Sequence, residues 1–419
     1  MSLQGYEDIY HNNHNVFILG AGFSVDAGLP VVNNFIKKMR LAASSSINTN
    51  KREIAEGING VLKWRLFSAS AAHRCKIDPN NIEELFSLID GDRGGNGQWM
   101  VKKETMQKAI ISTLSFCAKQ QSSQDRGTRL FLQPGLESRL NDEYLVDKIE
   151  QSDNPLSWIL PIYDAIASVF SGSIYSSQCD SQTQKNTIIT FNYDTVIEDA
   201  FERIGEKFNL GLPGHPFLSL DSDYKSNSSA QGGEVTSIFK LHGSINWRLE
   251  QSEPLKLVIR KDLGTLWSQI SHKDNYILEP PTWNKGRSAE ILQHLWDASL
   301  ASIRNATRIF IIGYSLPETD MHFKYLMASG LAQNISLESI CFVNPAVNDP
   351  VEFNALSKRV FRIFREELQM DGTIEFIPSS ATSFILAENG SRSLNGGMLP
   401  FRLYPELEHS FFSRFDKRR

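Results

Sequence analysis

No run of about 18 consecutive apolar residues occurs in this chain, so no membrane-spanning helix is expected. Cysteine is scarce. Cys75, Cys117, Cys179 and Cys341 lie far apart and none forms a C-x-x-C pair. That spacing excludes a local four-cysteine zinc ribbon and offers no disulfide framework. A reducing, cytoplasmic setting is the expectation. Charge of one sign is not in excess: the net charge is −5 over 419 residues, which gives no global basic field for nucleic acid. The opening residues, MSLQGYEDIYHNNHN, lack a basic flank and an apolar core, so no secretory leader is read there. His11 and His14 stand three apart without a carboxylate neighbour and are read as solvent-facing. No P-loop, metal-binding carboxylate motif or internal repeat is found, and no metal is expected.

What remains is ordinary globular composition, 41% hydrophobic and 22% charged. The length admits one large α/β domain with insertions, or two domains. The chain is organised around Asn15 to Pro30, NVFILGAGFSVDAGLP. Val16-Phe17-Ile18-Leu19 is a short apolar run of β-branched and aromatic type, the pattern of a strand buried on both faces. Gly20-Ala21-Gly22 follows at once. Glycines there permit a sharp turn and let a ligand's phosphates approach main-chain N–H groups. Ser24 is read as an N-cap, and Gly28-Leu29-Pro30 as the end of the short turn it starts. The spacing is not G-x-G-x-x-G, because Gly28 comes six residues after Gly22. A structural turn that binds nothing is the alternative reading.

Val31 to Leu41 is apolar at helical spacing. Residues 50–180 read as helix-rich, with segments Ile54–Ser68, Ile82–Ile89, Thr105–Gln120 and Leu156–Phe170 and no strong strand alternation. In Asn80-Asn81-Ile82-Glu83-Glu84 an asparagine cap precedes an acidic first turn. Further strands are read at Thr187–Phe191, Thr236–Leu241, Leu255–Ile259, Arg308–Ile312, Ile340–Val343 and Thr373–Ile377. Helices are read at Ile291–Ala301 and over 351–366, with an irregular segment over 278–287. The fold class is therefore α/β: a Rossmann-like, mostly parallel sheet with helices on both faces, plus a helical insertion. Residues 1–40 and 181–380 form the core, 41–180 the insertion and 381–419 a C-terminal arm. The arm's aromatics, Phe401, Tyr404, Phe411, Phe412 and Phe415, suit either a neighbouring subunit or the chain's own domain.

In such sheets ligands bind outside the carboxyl ends of the strands. Gly20-Ala21-Gly22, Asn192-Tyr193-Asp194, His242-Gly243-Ser244, Gly313-Tyr314-Ser315 and Asn344 each follow an apolar run directly. They are expected to line one rim. Asp320 is read as an exposed loop acid.

Together GAGFS–AGLP, TFNYD, KLHGS and the IIGYS…VNP pair resemble the sirtuin-like NAD-consuming domains of bacterial anti-phage systems. The resemblance spans roughly 15–375 and implies NAD cleaved at the nicotinamide–ribose bond. By it, Gly20, Ala21, Gly22, Phe23 and Ser24 form the pyrophosphate and ribose loop. Asn192 faces the nicotinamide ribose, Asp194 lies two residues on, and His242 is the catalytic histidine. Gly313 and Ser315 form a second phosphate-side turn, and Asn344 meets the adenosine ribose. Related systems pair the domain with a HerA-type hexameric ATPase, so that partner and a homo-oligomer are expected.

The residue types suit the chemistry. Histidine has a reference pKa near 6.5 and exchanges protons at neutral pH. Asparagine both donates and accepts, so it suits a ribose hydroxyl and a water. The structural alternatives are a buried histidine bonded to a carbonyl, and a helix cap at Asn192 and Asp194. Protein-deacylating sirtuins carry a four-cysteine zinc module, absent here by spacing. They also continue from G-(I/L)-P into D-F-R, where this chain has Val31-Val32-Asn33. Water is therefore the favoured acceptor, with ADP-ribose and nicotinamide as products. The other readings are an NAD or nucleotide sensor without turnover, and a protein deacylase.

Overall fold

A computed structural model describes residues 14–48, 52–91, 98–123, 129–131, 159–171, 185–212, 218–224, 235–250, 252–253, 255–261, 275–282, 290–317 and 320–386. The chain opens with strand β1 (His14–Leu19) and continues through helices α1 (Phe35–Asn48), α2 (Arg52–Ala72), α3 (Ile82–Gly91) and α4 (Gln98–Ser123). Next come β2 (Arg129–Phe131), β3 (Ile159–Pro161), α5 (Ile162–Ser171), β4 (Lys185–Thr190) and α6 (Val196–Arg203). Strands β5 (Phe208–Asn209), β6 (Leu218–Ser222), β7 (Thr236–Lys240), β8 (Gly243–Glu250), β9 (Leu255–Ile259) and β10 (Asn275–Leu278) follow. The last elements are α7 (Glu290–Arg304), β11 (Arg308–Ile312), α8 (Met321–Leu331), β12 (Ser339–Val343), α9 (Pro350–Val360), α10 (Glu367–Met370), β13 (Ile374–Ile377) and α11 (Ala381–Leu386).

Seven strands form one sheet in the order β13-β12-β11-β1-β4-β7-β5, and every pairing in it is parallel. Successive residues of a strand face opposite sides. Val16, Phe17, Ile18 and Leu19 are all buried, so both faces of the sheet are covered. The covering core includes Phe170 of α5, Phe201 of α6, Leu295 of α7, Phe323 of α8, Leu356 of α9 and Phe384 of α11. The expected Rossmann-like α/β sheet is what the chain builds.

A second sheet, β10-β8-β9-β6, adds to the expected one. Leu255–Ile259 belongs to it and not to the main sheet. His242-Gly243-Ser244 is also more than a strand end, because β8 starts at Gly243. Helices α1 to α4 pack with Ile245 of β8 and with Tyr276 and Leu278 of β10 in a core of their own. Among the described residues of 41–180, helices predominate beside the antiparallel β2–β3 pair, but the last helix, α5, sits in the main core. The expected cap of α3 forms: Asn81 Oδ1 accepts from the Glu83 and Glu84 amides at 2.9 and 3.3 Å.

Two readings are corrected at the opposite ends of strands. His14 is fully buried, not solvent-facing. It starts β1 and its Nε2 shares a hydrogen bond of 2.9 Å with Thr187 Oγ1. Asp320 is buried too; it caps α8 through Phe323 N at 3.3 Å and accepts from Tyr314 Oη. Of the C-terminal arm, Ala381–Leu386 packs on the chain's own core and Thr382 Oγ1 donates to Asp26 Oδ2 at 2.5 Å. The arm's later aromatics, His11 and Cys179 lie outside the described residues. Among the described residues no helix is long and apolar enough to cross a membrane.

Candidate functional site at the strand ends

The strand registers decide where the polar clusters meet. Leu19 pairs with Thr190 on one side and Ile312 on the other. Thr190 pairs with Lys240, and Ile312 with Val343. These five residues form one row across the sheet. Each predicted cluster begins at the residue or two beyond that row. The row from β12 to β7 spans four strand gaps, roughly 19 Å at about 4.8 Å each. One rim therefore carries Asn344, Gly313, Gly20–Ser24, Asn192–Asp194 and His242, in that order.

The glycine loop is built differently from the expectation. Gly20 N donates to Ile312 O at 3.0 Å, Gly22 N to Gly313 O at 2.8 Å and Phe23 N to Gly20 O at 2.9 Å. Those three amides are engaged within the protein and are not a free phosphate cradle. A Cβ on Gly20 would lie 2.5 Å from Tyr314 Cα, and one on Gly22 would lie 2.7 Å from Gly313 O. Gly313 has φ +62°, and its Cβ would lie 2.4 Å from Phe23 N. The two turns are glycine because each occupies the other's side-chain space. Ser24 does not cap a helix. It is buried at the end of a 3₁₀ turn, Ala21–Ser24, and its hydroxyl accepts from Asn192 Nδ2 at 3.2 Å. Tyr163 of α5 clamps the same loop: its hydroxyl donates to Phe23 O at 2.8 Å and accepts from Ala27 N at 3.2 Å.

Asn192 is the link between β1 and β4. Its Nδ2 donates to Gly20 O at 2.9 Å as well as to Ser24. Both amide protons are thereby used, and Oδ1 remains as its acceptor. Asp194 Oδ1 accepts from Val196 N at 3.1 Å, so Asp194, not Asn192, serves the start of α6. His242 is 6% exposed. Its ring packs edge-on against Phe191 at 5.2 Å and stacks on Tyr193 at 6.0 Å between centroids. The two residues flanking Asn192 thus hold the imidazole. Phe191 also stacks on Tyr314 at 5.0 Å, which joins the β4 and β11 turns.

Glu279 and Lys240 are the residues that sequence reading missed. Glu279 N donates to His242 O at 2.9 Å, and its carbonyl accepts from Tyr193 Oη at 2.7 Å. Its carboxylate pairs with Lys103 of α4 at 2.9 Å. Lys240 is fully buried and pairs with Glu198 of α6 at 2.6 Å. A lysine inside the apolar run TSIFKL, and a glutamate in VIEDAF, were the available signals. Burial, then the nearby acids, raises the Tyr193 and Tyr314 phenols well above the ordinary range. Both stay neutral O–H donors at physiological pH.

The far side of the rim is more structural. Asn344 Oδ1 accepts from Ala346 N at 3.0 Å and caps a short 3₁₀ turn. Ser315 is exposed, and its carbonyl accepts from Arg359 Nε at 2.8 Å. Leu316, next to Pro317, has φ +51°, an uncommon conformation for a side-chain-bearing residue. Among the described residues no group of three or more His, Cys, Asp or Glu is placed to hold a metal.

Residues 186–345 match the family model described as the SIR2-like domain. The chain carries a SIR2-like domain over that span. It contains Asn192, Asp194, His242, Gly313, Ser315 and Asn344, and leaves the glycine loop outside. No curated protein matches the chain. Among solved structures, a Sir2 homologue in complex with NAD aligns at 12% identity and TM-score 0.37, over 94% of each chain. A mutant Sir2 homologue in complex with 2′-O-acetyl-ADP-ribose aligns at 11% identity and TM-score 0.36, over 94% of this chain and 97% of that one.

Proposed function

We propose that this SIR2-like chain hydrolyses NAD to nicotinamide and ADP-ribose. The observation that carries the reading is the placement of His242 on the rings that flank Asn192, on adjacent parallel strand ends. In the proposed step the glycosidic C1′–N bond breaks and its electron pair leaves with nicotinamide. Water oxygen bonds to C1′, and its proton passes to the His242 imidazole and then to solvent. Asn192 Oδ1 is suited to a ribose hydroxyl or to the attacking water. General-base assistance is typically worth about 10²–10⁴-fold. What the site presents to NAD is the Asn192 Oδ1 acceptor and the His242 imidazole, beside the neutral Tyr193 and Tyr314 rings, whose hydroxyls are hydrogen-bonded within the protein.

Two features favour water over an acyl-lysine. No cysteine spacing for a zinc module exists. The segment after Pro30 builds the approach to α1, with Val31 N donating to Asn34 Oδ1 at 2.9 Å. The same reading makes the chain a homo-oligomeric effector of an anti-phage system, partnered by a HerA-type hexameric ATPase; motif resemblance is what supports that part. Nicotinamide release by purified protein, without peptide, tests the reaction. His242→Ala and Asn192→Ala are expected to lose about 10²-fold or more. Binding of NAD without turnover by the unmodified chain, alone and with the ATPase, would replace the enzyme by a sensor. Strict dependence on an acyl-lysine peptide would replace it by a deacylase. Native mass with and without the ATPase tests the partner, and no co-complex at micromolar protein counts against it.

A further inference from the structure

Lys240 is the last residue of β7, and its side chain is fully buried. Its ammonium donates to Glu198 Oε1 at 2.6 Å and to the main-chain carbonyl of Asp194. Glu198 is itself buried, and its Oε2 has no hydrogen-bond partner among the described residues. Burial raises the Glu198 carboxyl, against the opposing pull of Lys240. An incompletely satisfied buried pair is poor stabilisation, because desolvation offsets much of the attraction. Apolar residues of the same size would fill the space at no such cost.

What the pair does have is position. The β4–α6 turn meets the β7–β8 segment on both sides of His242. Before it, Lys240 holds Asp194 O. After it, Ser244 Oγ and Ile245 N both donate to Tyr193 O, at 3.1 and 3.0 Å. His242 lies between these two ties. Lysine suits the first tie because its long stem ends in three donors that serve a carbonyl and a carboxylate together.

Taking the hydrolase reading above as its basis, we propose that Lys240, anchored by Glu198, is a positioning residue that fixes the Asn192–Asp194 turn against His242. It does not touch the reacting atoms. Its charge is used to hold a distance.

The test is Lys240→Met/Glu198→Leu, which removes both charges while keeping volume. The proposal expects a thermal midpoint at or above the wild-type value, with kcat lowered about tenfold or more and KM within about twofold. It also expects the His242 ring resonance, assigned with His242→Gln in histidine-labelled protein, to move. If the double variant melts below wild type, Glu198→Gln carries the test, with kcat lowered at least about threefold. A folded variant with wild-type kcat and an unmoved His242 resonance overturns the proposal. Absence of NAD cleavage by wild-type protein removes the hydrolase reading alone. The resonance then decides the positioning role without turnover, and an unmoved signal overturns it.

Discussion

Gly243 is the most constrained residue next to the candidate site, and its replacement by alanine has a calculable consequence. Its φ is +74°, and a Cβ would lie 2.1 Å from Ile277 O and 2.8 Å from Ile277 C. Ordinary contact begins at 3.4 Å, so 3.4 − 2.1 leaves about 1.3 Å to be made up by backbone movement. A left-handed conformation costs a side-chain-bearing residue about 1–3 kcal/mol. Overpacking costs a further 1–3 kcal/mol or so. Gly243→Ala is therefore expected to lose about 4 kcal/mol, within the 5–15 kcal/mol or so of a typical domain. The strand that must move is β10, and the Glu279 amide that follows it holds His242 O. The cost should thus reach the imidazole.

Gly205 supplies the control. It has φ +79°, and a Cβ placed on it would meet nothing within 4 Å, so Gly205→Ala should lose only the conformational part, about 1–3 kcal/mol. Urea unfolding followed by tryptophan fluorescence measures both. Nicotinamide release, assayed where each variant is fully folded, measures the effect on the site. Gly243→Ala should lose activity well beyond Gly205→Ala. Equal destabilisation with full activity in both would show that the β10 contact neither strains Gly243 nor positions His242.

Acid should weaken the fold through His14. Burial, and then Lys185, lowers its folded pKa to about 4, against about 6.5 unfolded. Below pH 6.5 the unfolded chain takes up a proton that the folded chain refuses, so stability falls as pH drops towards 4, by up to about 3 kcal/mol. Urea midpoints from pH 7 to pH 4.5 should show a smaller acid loss for His14→Gln than for wild type; parallel profiles would sink the assignment. Tyr163→Phe removes a buried hydroxyl from Phe23 O and Ala27 N and should cost about 1–3 kcal/mol, read by the same unfolding curves. It should also raise KM for NAD if the glycine loop contacts substrate, and an unchanged KM would place the loop outside the binding site. Gly313→Ala meets the backbone of Gly22 and Phe23 and should yield little folded protein; normal yield and thermal midpoint would refute the mutual fit of the two turns.

The strands that were legible are those with uninterrupted apolar runs. VFIL, TIITF, IFII and ICFV are buried on both faces, and such runs carry their own signal. Their polar ends were legible for the same reason, since a buried run must stop where polar residues begin. Strand β8 was not. Its Ile245, Trp247 and Leu249 alternate with polar residues, but the glycine and histidine before them drew the reading towards a turn. His14, Asp320 and Lys240 failed in another way. His14 and Asp320 look solvent-exposed locally, Lys240 was passed over inside an apolar run, and each is buried by a partner or a fold that local pattern does not reveal. Thr187 lies 173 residues from His14, and Glu198 lies 42 from Lys240. Polar burial is decided by tertiary pairing.

The glycine motif has a packing reason of its own. Gly20, Gly22 and Gly313 need to lack side chains because the β1 and β11 turns interpenetrate. The amides of Gly20 and Gly22 serve that contact. The Gly20, Gly22 and Phe23 amides are therefore spent within the protein. The uncommitted acceptor of Asn192 and the imidazole of His242 lie on the β4 and β7 side of the row. The loop is tied to that side by the Asn192 amide, which grips Gly20 O and Ser24 Oγ. A change in Asn192 therefore alters the glycine loop and the chemistry together. A change in His242 leaves the bonds of Asn192 to Gly20 O and Ser24 Oγ in place and removes a ring packed on Phe191 and Tyr193. That asymmetry makes the His242 substitution the cleaner test of catalysis, and the Asn192 substitution the cleaner test of whether the glycine loop depends on β4.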